Sequence, residues 1–115
     1  MKTDRNIFRL KHILESVEKI LFITKEVLYK KFEEDWIIQD VVIRNLEIIG
    51  EAANHIDEDL REKFPEIQWN EIRGLRNLIA HVYFNIDTLQ IWETVQNNIP
   101  ELKESIQNIL KNLEK

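Results

Sequence analysis

The sequence predicts an all-α fold, an antiparallel bundle of four to five helices. Only two glycines and two prolines interrupt 115 residues, whereas a β domain of this length needs many more turn residues. Apolar residues recur at three- and four-residue spacing through most of the chain, which is the period of an amphipathic helix. With 43% apolar and 32% charged residues, the chain has the balance of a globular protein. The length predicts one domain over residues 1–115.

A long first helix is predicted from Ile7 to a polar connection between Phe32 and Asp35. Its apolar residues fall on one helical face. These residues are Ile7, Leu10, Leu14, Val17, Leu21 and Leu28.

A second helix is predicted from about Trp36 to Arg61, with a broad apolar face that requires cover on more than one side. Its main stripe is Ile38, Val42, Leu46, Ile49, Ala53 and Ile56. A polar stripe occupies the remaining face: Asp40, Arg44, Glu47, Glu51 and His55. General experience favours a solvated row of ion pairs for this polar stripe. The alternative is a polar seam that lines a cleft.

Two shorter segments follow. Phe64-Pro65 breaks the helical pattern, and Asn70 is the predicted N-cap of a third helix whose buried side is Ile72, Leu75, Ile79 and Val82. Asp87 and Gln90 have the spacing of a capping box at the start of the last helix, which Pro100 should kink or divide. The tryptophans at 36, 69 and 92 are interpreted as core or interface anchors.

Composition limits the environment and the partners. Without cysteine the chain has no disulfide or thiolate metal site, and its apolar runs are too short for a signal peptide or membrane span, so we expect a cytoplasmic protein. The net charge of −5 argues against broad non-specific binding to nucleic acid. Any contact with RNA must therefore be local. No metal or cofactor is predicted, because the Glu51 and His55 pair lacks the Glu-x-x-His spacing of di-metal bundles.

The residues that carry chemistry lie between 69 and 87. Of the three histidines, only His81 has two arginines, an asparagine and a tyrosine close by in sequence. An imidazole exchanges protons near neutral pH, and the guanidinium of Arg76 suits a phosphate oxyanion. Together they suit metal-independent cleavage of RNA, in which His81 takes the 2′-hydroxyl proton and Arg76 stabilises the negative charge that gathers on the phosphorane.

Spacing restricts how this pair can meet. Arg76 and His81 are five residues apart, about 140° around a regular helix, so they do not share a face. Either the helix loosens before His81, the arginine wraps around, or a second subunit completes the site; we favour loosening together with a dimer cleft. Asn77 shares a face with His81 and is a candidate to orient the imidazole, while Arg73 shares a face with Asn77.

The segment WNEIRGLRNLIAHVYFNID (69–87) resembles the HepT-like ribonuclease toxins of the HEPN superfamily. Their signature is an arginine, four to six residues, a histidine and then a tyrosine, here Arg76, His81 and Tyr83. The resemblance extends to IRNLEIIGEAA (43–53), Phe64-Pro65, Trp69, the 85–87 turn and Trp92.

This resemblance implies a HEPN bundle that forms a homodimer, with both motifs in one cleft and with Arg76 and His81 catalytic. It also implies an RNA substrate and a partner, a minimal nucleotidyltransferase antitoxin that attaches AMP to Tyr83.

Other interpretations stay open. His81 could be a helix-terminal histidine bonded to backbone carbonyls, Arg73 and Arg76 could pair with Glu71 or another carboxylate, and Tyr83 could be an aromatic at the core edge. The competing functions are a non-catalytic helical module that binds the nucleotidyltransferase and, more weakly, a nucleotide or small-phosphate site at the arginines.

Overall fold

The structure, a computed structural model, describes residues 2–76 and 87–114. These ranges contain seven helices and no strand, which confirms the predicted all-α bundle. The helices are α1 (Lys2–Thr24), α2 (Tyr29–Glu34), α3 (Trp36–Asn54), α4 (Glu58–Lys63), α5 (Trp69–Arg73), α6 (Thr88–Asn97) and α7 (Ile99–Leu113).

Helix α1 is the centre of the bundle and packs against both α3 and α7. Near its start, Arg9 Nη1 donates a hydrogen bond of 3.0 Å to the carbonyl oxygen of His55, just beyond the end of α3. Lys11 Nζ lies 3.3 Å from a carboxylate oxygen of Glu114, just beyond the end of α7. Both neighbours therefore run antiparallel to α1.

The buried face of α1 agrees with the predicted one at Leu10 and Val17 and differs at its other positions. The fully buried apolar residues are Leu10, Ile13, Val17 and Ile20. Of the other predicted positions, Ile7, Leu14 and Leu21 are only partly buried, and the side chain of Leu28 is 77% exposed. The difference arises because α1 is covered on two sides, so its most buried line lies between two neighbours.

The prediction that the first helix continues to Phe32 or beyond is wrong. Helix α1 ends at Thr24, and Glu26 has a positive φ of 61°, a left-handed conformation that stops an α-helix. A separate short helix, α2, then begins at Tyr29. Its last turn is capped by α3, where Gln39 Nε2 donates to the carbonyl oxygens of Phe32 and Glu33 at 2.8 and 2.9 Å.

The second predicted helix is also divided, because α3 ends at Asn54 and α4 begins at Glu58. Contacts from α1 stabilise the break. Asn6 Oδ1 accepts a hydrogen bond of 3.2 Å from the backbone N–H of Asp57, and Arg9 bonds the carbonyl of His55. The predicted apolar stripe of this segment is confirmed, since all six of its residues are buried.

Helix α5 begins two residues earlier than predicted. Gln68, and not Asn70, occupies the N-cap position. The start is set by Trp69, which is 7% exposed and whose indole Nε1 donates to the carbonyl of Phe64 at 3.0 Å. Two predicted members of its buried side, at positions 79 and 82, lie outside the described residues.

The end of the chain follows its predicted signals. Asp87 is the N-cap of α6 and accepts a hydrogen bond of 3.0 Å from the backbone N–H of Gln90. Pro100 lies in the first turn of α7, so the last predicted helix is divided and not merely bent. In the described ranges, no helix combines the length and apolar character needed to cross a bilayer.

The three tryptophans have different environments. Trp69 is buried, and Trp92 packs against Phe32 with ring centroids 5.1 Å apart, which confirms both as core residues. Trp36 is 68% exposed, so it is not a core residue, and its role as an interface anchor stays a prediction.

Asp35 caps the N-terminus of α3. One of its carboxylate oxygens accepts from the backbone N–H groups of Ile37 and Ile38, at 3.0 and 3.2 Å. The hydrogen bond from Ile38 is the main cause that lowers the pKa of Asp35; partial burial opposes it, and Lys31 and Ile37 lower the pKa further. The ionised cap is therefore favoured in the folded state.

We predict that Asp35→Ala destabilises the protein at neutral pH, and that this difference from the parent protein shrinks in acid. Because the folded-state pKa is lowered, the contribution is present above the ordinary value of 3.8 and is lost as the pH falls through the folded-state value. Urea midpoints at pH 7 and pH 3 measure it. Asp35→Asn is the control, since it keeps a capping oxygen without the charge; a difference for Asp35→Ala that is independent of pH would contradict the prediction.

Candidate active site

The described part of the candidate site begins just after α5. Gly74 ends α5 with right-handed helical backbone angles, and the next two residues are again helical. Arg73 and Arg76 are three residues apart, a spacing that places two side chains on the same side of a helix. Both side chains contact the last turn of α3. Arg73 Nε donates to Asn54 Oδ1 at 3.3 Å, and Arg76 Nε lies 3.1 Å from Glu51 Oε2.

Gly50 permits this close approach. A Cβ atom at position 50 would lie 2.8 Å from Arg76 Cγ, 3.0 Å from the backbone nitrogen of Arg76 and 3.4 Å from the carbonyl oxygen of Ile72. The first two distances are shorter than ordinary van der Waals contacts. A glycine is therefore needed for α3 to pack directly on the backbone of the 72–76 segment.

Glu51 contacts two side chains, those of Arg76 and His55. One oxygen contacts Arg76 Nε, and the other lies 3.0 Å from His55 Nε2. The three side chains remain accessible: 46% of Arg76, 52% of Glu51 and 54% of His55 is exposed. Exposed ion pairs contribute roughly 0–1 kcal/mol to stability. This cluster, Arg76, Glu51 and His55, therefore adds little to folding and leaves the guanidinium open to a ligand.

The cluster also bears on the polar stripe predicted for this helix. Glu51 and His55 do form a side-chain contact between neighbours four residues apart, as the general interpretation expects. Glu51 additionally faces another element of the fold, since it contacts Arg76. At this end of α3 the stripe is therefore part of a contact between two helical segments.

Three arginines bond to the end of α3, although the chain as a whole is acidic. Arg9, Arg73 and Arg76 all bond to residues 51–55, and His55 lies among them. Cations are favoured beside the carbonyl end of a helix. The three guanidinium groups therefore lie around one end of this helix.

Three of the predicted site residues, Asn77, His81 and Tyr83, lie outside the described residues. So does the predicted loosening of the helix near His81. Of the predicted residues, the structure brings together Arg73 and Arg76. The interpretation that Arg76 pairs with a carboxylate is correct, but the partner is Glu51 and not Glu71. Within the described ranges, no cluster of three or more His, Cys, Asp or Glu residues could hold a metal ion.

The family model for HepT-like ribonucleases matches residues 13–109, which include the contact between α3 and Arg76. The chain belongs to the HepT-like ribonuclease family. A "Putative RNase" of Methanocaldococcus jannaschii is 43% identical to this HepT-like chain over 95 residues, which cover 83% of the chain and 87% of the relative.

Two further relatives match over similar lengths. The "Probable ribonuclease HepT" of Thermococcus cleftensis is 39% identical over 102 residues, or 89% of this chain and 93% of the relative. A "Putative RNase" of Caldanaerobacter subterraneus subsp. tengcongensis is 37% identical over 111 residues, which cover 96% of this chain and 97% of the relative. No solved structure is significantly similar to the chain.

Two residues of this HepT-like site were not predicted to act on Arg76. Gly50 is one of only two glycines and lies inside a helical pattern, where glycine costs about 1 kcal/mol relative to alanine. That cost is a signal of a close backbone approach. Glu51 follows it and is four residues before His55, but nothing local indicates that its second oxygen meets a residue 25 positions later in the chain.

We predict that Gly50→Ala lowers the stability of this HepT-like protein by about 1–3 kcal/mol, the usual cost of overpacking. In domains of this size each kcal/mol corresponds to a shift in Tm of roughly 4–8 °C. Calorimetry measures the shift. An exposed helical glycine would instead gain about 0.5–1 kcal/mol on replacement by alanine; a rise in Tm would therefore contradict the close approach.

Proposed function

We propose that this chain is a metal-independent RNA endonuclease and the toxin of a toxin–antitoxin pair, with Arg76 and His81 as its catalytic residues. The observation that carries the proposal is the half-exposed guanidinium of Arg76, which lies against Glu51 in a chain of the HepT-like ribonuclease family. The motif spacing supplies His81, five residues later.

The proposed reaction is attack of a ribose 2′-oxygen on the adjacent phosphorus. His81 takes the proton of the 2′-hydroxyl as general base. Arg76 stabilises the negative charge that gathers on the non-bridging oxygens. The bond to the 5′-oxygen breaks, this oxygen takes up a proton from solvent as it leaves, and the other product ends in a 2′,3′-cyclic phosphate. Asn77, four residues before His81, orients the imidazole.

RNA binding in this proposal depends on the arginines that bond to the end of α3. Arg73 is held by Asn54, and Arg9 by the carbonyl of His55, so both contact the same end of α3 that Arg76 contacts. Few phosphates are neutralised in such a site. The salt dependence of binding should therefore be shallow, in keeping with an acidic chain.

Two copies of the chain are proposed to form a homodimer in which both motifs line one cleft. The support is the angle of about 140° between positions 76 and 81 on a regular helix. Within one subunit the two side chains can meet only if the helix loosens or the arginine wraps around. Sedimentation velocity measures the assembly, and a fully active monomer would contradict the shared cleft.

The proposed antitoxin is a minimal nucleotidyltransferase, which would transfer AMP from ATP to Tyr83. The tyrosine oxygen attacks the α-phosphorus of ATP, the bond to the β-phosphate breaks, and pyrophosphate leaves. The added phosphate would lie two residues from His81 and close enough in sequence to engage Arg76. A charge-assisted contact between them would fill the RNA site.

We predict that the purified protein cleaves single-stranded RNA in the presence of EDTA. Arg76→Ala should lower kcat by about 10²- to 10³-fold, as loss of one donor to a transition-state oxyanion does. His81→Ala should lower kcat by about 10²- to 10⁴-fold, the usual contribution of a general base, so that cleavage is no longer detected. Cleavage of a fluorescent oligonucleotide measures both, and mass spectrometry identifies the cyclic phosphate.

The charge-matched control is Lys19→Ala, which removes an exposed cation that pairs with Glu15 on α1. It should cleave RNA at the rate of the parent protein. Circular dichroism checks that each variant is folded. Undiminished cleavage by Arg76→Ala or His81→Ala would reject the assigned roles, and cleavage that disappears in EDTA would reject the metal-independent mechanism.

We further predict that the cognate nucleotidyltransferase, with ATP, adds one adenylyl group to the chain and stops RNA cleavage. Tyr83→Phe should cleave RNA but gain no mass and resist this inactivation. The chain has one other tyrosine, so Tyr29→Phe is the matched control and should still be modified. Modification of the Tyr83→Phe variant would place the acceptor elsewhere.

A second candidate function is a non-catalytic interaction module, which the exposed apolar residues at one end of the bundle favour. These residues lie at the end of α1 and at the starts of α2, α3 and α6: Phe22, Leu28, Trp36, Ile37 and Leu89. Apolar surface of this kind is typical of an interface. A protein that neither cleaves RNA nor inhibits growth, yet binds the nucleotidyltransferase tightly, would establish this function instead.

A further inference from the structure

We infer that Glu51 is a positioning residue that sets the orientation of the Arg76 guanidinium, and that Gly50 provides the space in which it does so. This inference rests on the proposed function, because it concerns how the catalytic arginine is held. It assigns to α3 a part of the site that lies more than twenty positions before the Arg-x4-His segment.

The first argument is the atom at which Glu51 meets the arginine. The 3.1 Å contact is made at Nε, the nitrogen nearest the side-chain stem. A guanidinium has five N–H donors in one plane, so this contact uses one of them and restricts rotation of the plane. The terminal amino groups can then present two parallel donors to a phosphate, the geometry in which arginine binds phosphate best.

The second argument is that Glu51 is itself held. Its other oxygen lies 3.0 Å from His55 Nε2, one turn further along α3. The backbone of His55 is in turn bonded by Arg9 of α1. The carboxylate is thus fixed on both oxygens, as a residue must be if it is to orient another.

The third argument is the glycine. Any side chain at position 50 would collide with Arg76 at both its Cγ and its backbone nitrogen. The stem of Arg76 therefore passes directly over Gly50, and its Nε reaches the neighbouring carboxylate. Gly50 leaves space for the stem of the arginine, and the next residue, Glu51, is the partner of its guanidinium.

An opposite effect of the same contact is also chemically reasonable. A carboxylate beside Arg76 could compete with the phosphate and inhibit the enzyme. The two possibilities differ in sign: a positioning residue lowers kcat when it is removed, whereas a competing one raises activity. We favour positioning, because Nε is the contact atom and the terminal amino groups are the ones that a phosphate uses most readily.

The test compares Glu51→Ala with Glu51→Gln. Glu51→Ala should lower kcat by about 10- to 100-fold, a range set by the effect of misplacing a reacting group by about 1 Å, with KM changed far less. Glu51→Gln keeps an acceptor oxygen for Nε and should recover most of the loss. Glu15→Ala is the control, since Glu15 is an equally exposed member of a pair four residues apart, and it should leave cleavage unchanged.

Combining Glu51→Ala with Arg76→Ala distinguishes a failure of this inference from a failure of the proposed function. If Glu51 acts through the arginine, Glu51→Ala should have no further effect on the residual cleavage of Arg76→Ala, measured with enzyme in excess. Full activity of Arg76→Ala alone would overturn the proposed function. Loss of activity in Arg76→Ala together with normal or raised kcat in Glu51→Ala would overturn only the positioning role. Equal losses in Glu51→Gln and Glu51→Ala would also overturn it.

Discussion

The close packing of α3 on the 72–76 segment determines the arrangement of the candidate site. It is possible because position 50 has no side chain, which lets the stem of Arg76 lie against the helix backbone. At that distance the short side chain of Asn54 reaches Arg73, and Glu51 reaches Arg76. A larger separation would leave both arginines free to rotate in solvent, with no defined direction for phosphate binding.

The end of α3 is bonded on two sides, at its backbone on one side and at its side chains on the other. On one side α1 bonds the backbone where the helix ends, through Asn6 and Arg9. On the other side the arginines of the 72–76 segment bond its polar side chains. Rigid support of this kind is what a catalytic group needs for precise orientation. The same contacts bring three arginines to one end of a helix in a chain whose net charge is −5.

Much of the fold was predictable because its signals are local. Helical periodicity, the Asp87 cap and the division at Pro100 act over a few residues, and the structure confirms each of them. One of the two missed helix breaks depends on distant partners. The break after Asn54 is bonded by side chains 46 and 51 positions earlier in the chain. No window of a few residues contains that information.

The same distinction between local signals and long-range contacts applies to the candidate site. By itself the sequence determined the all-helical class, the family and the identity of Arg76 as a candidate catalytic residue, because residue type and short-range spacing carry those features. Only the tertiary structure decided which carboxylate meets that arginine, and that Gly50 is the space it passes through. The physical reason is that helix formation depends on neighbours within about four residues, whereas the partner of an exposed guanidinium depends on which helices pack together and how closely.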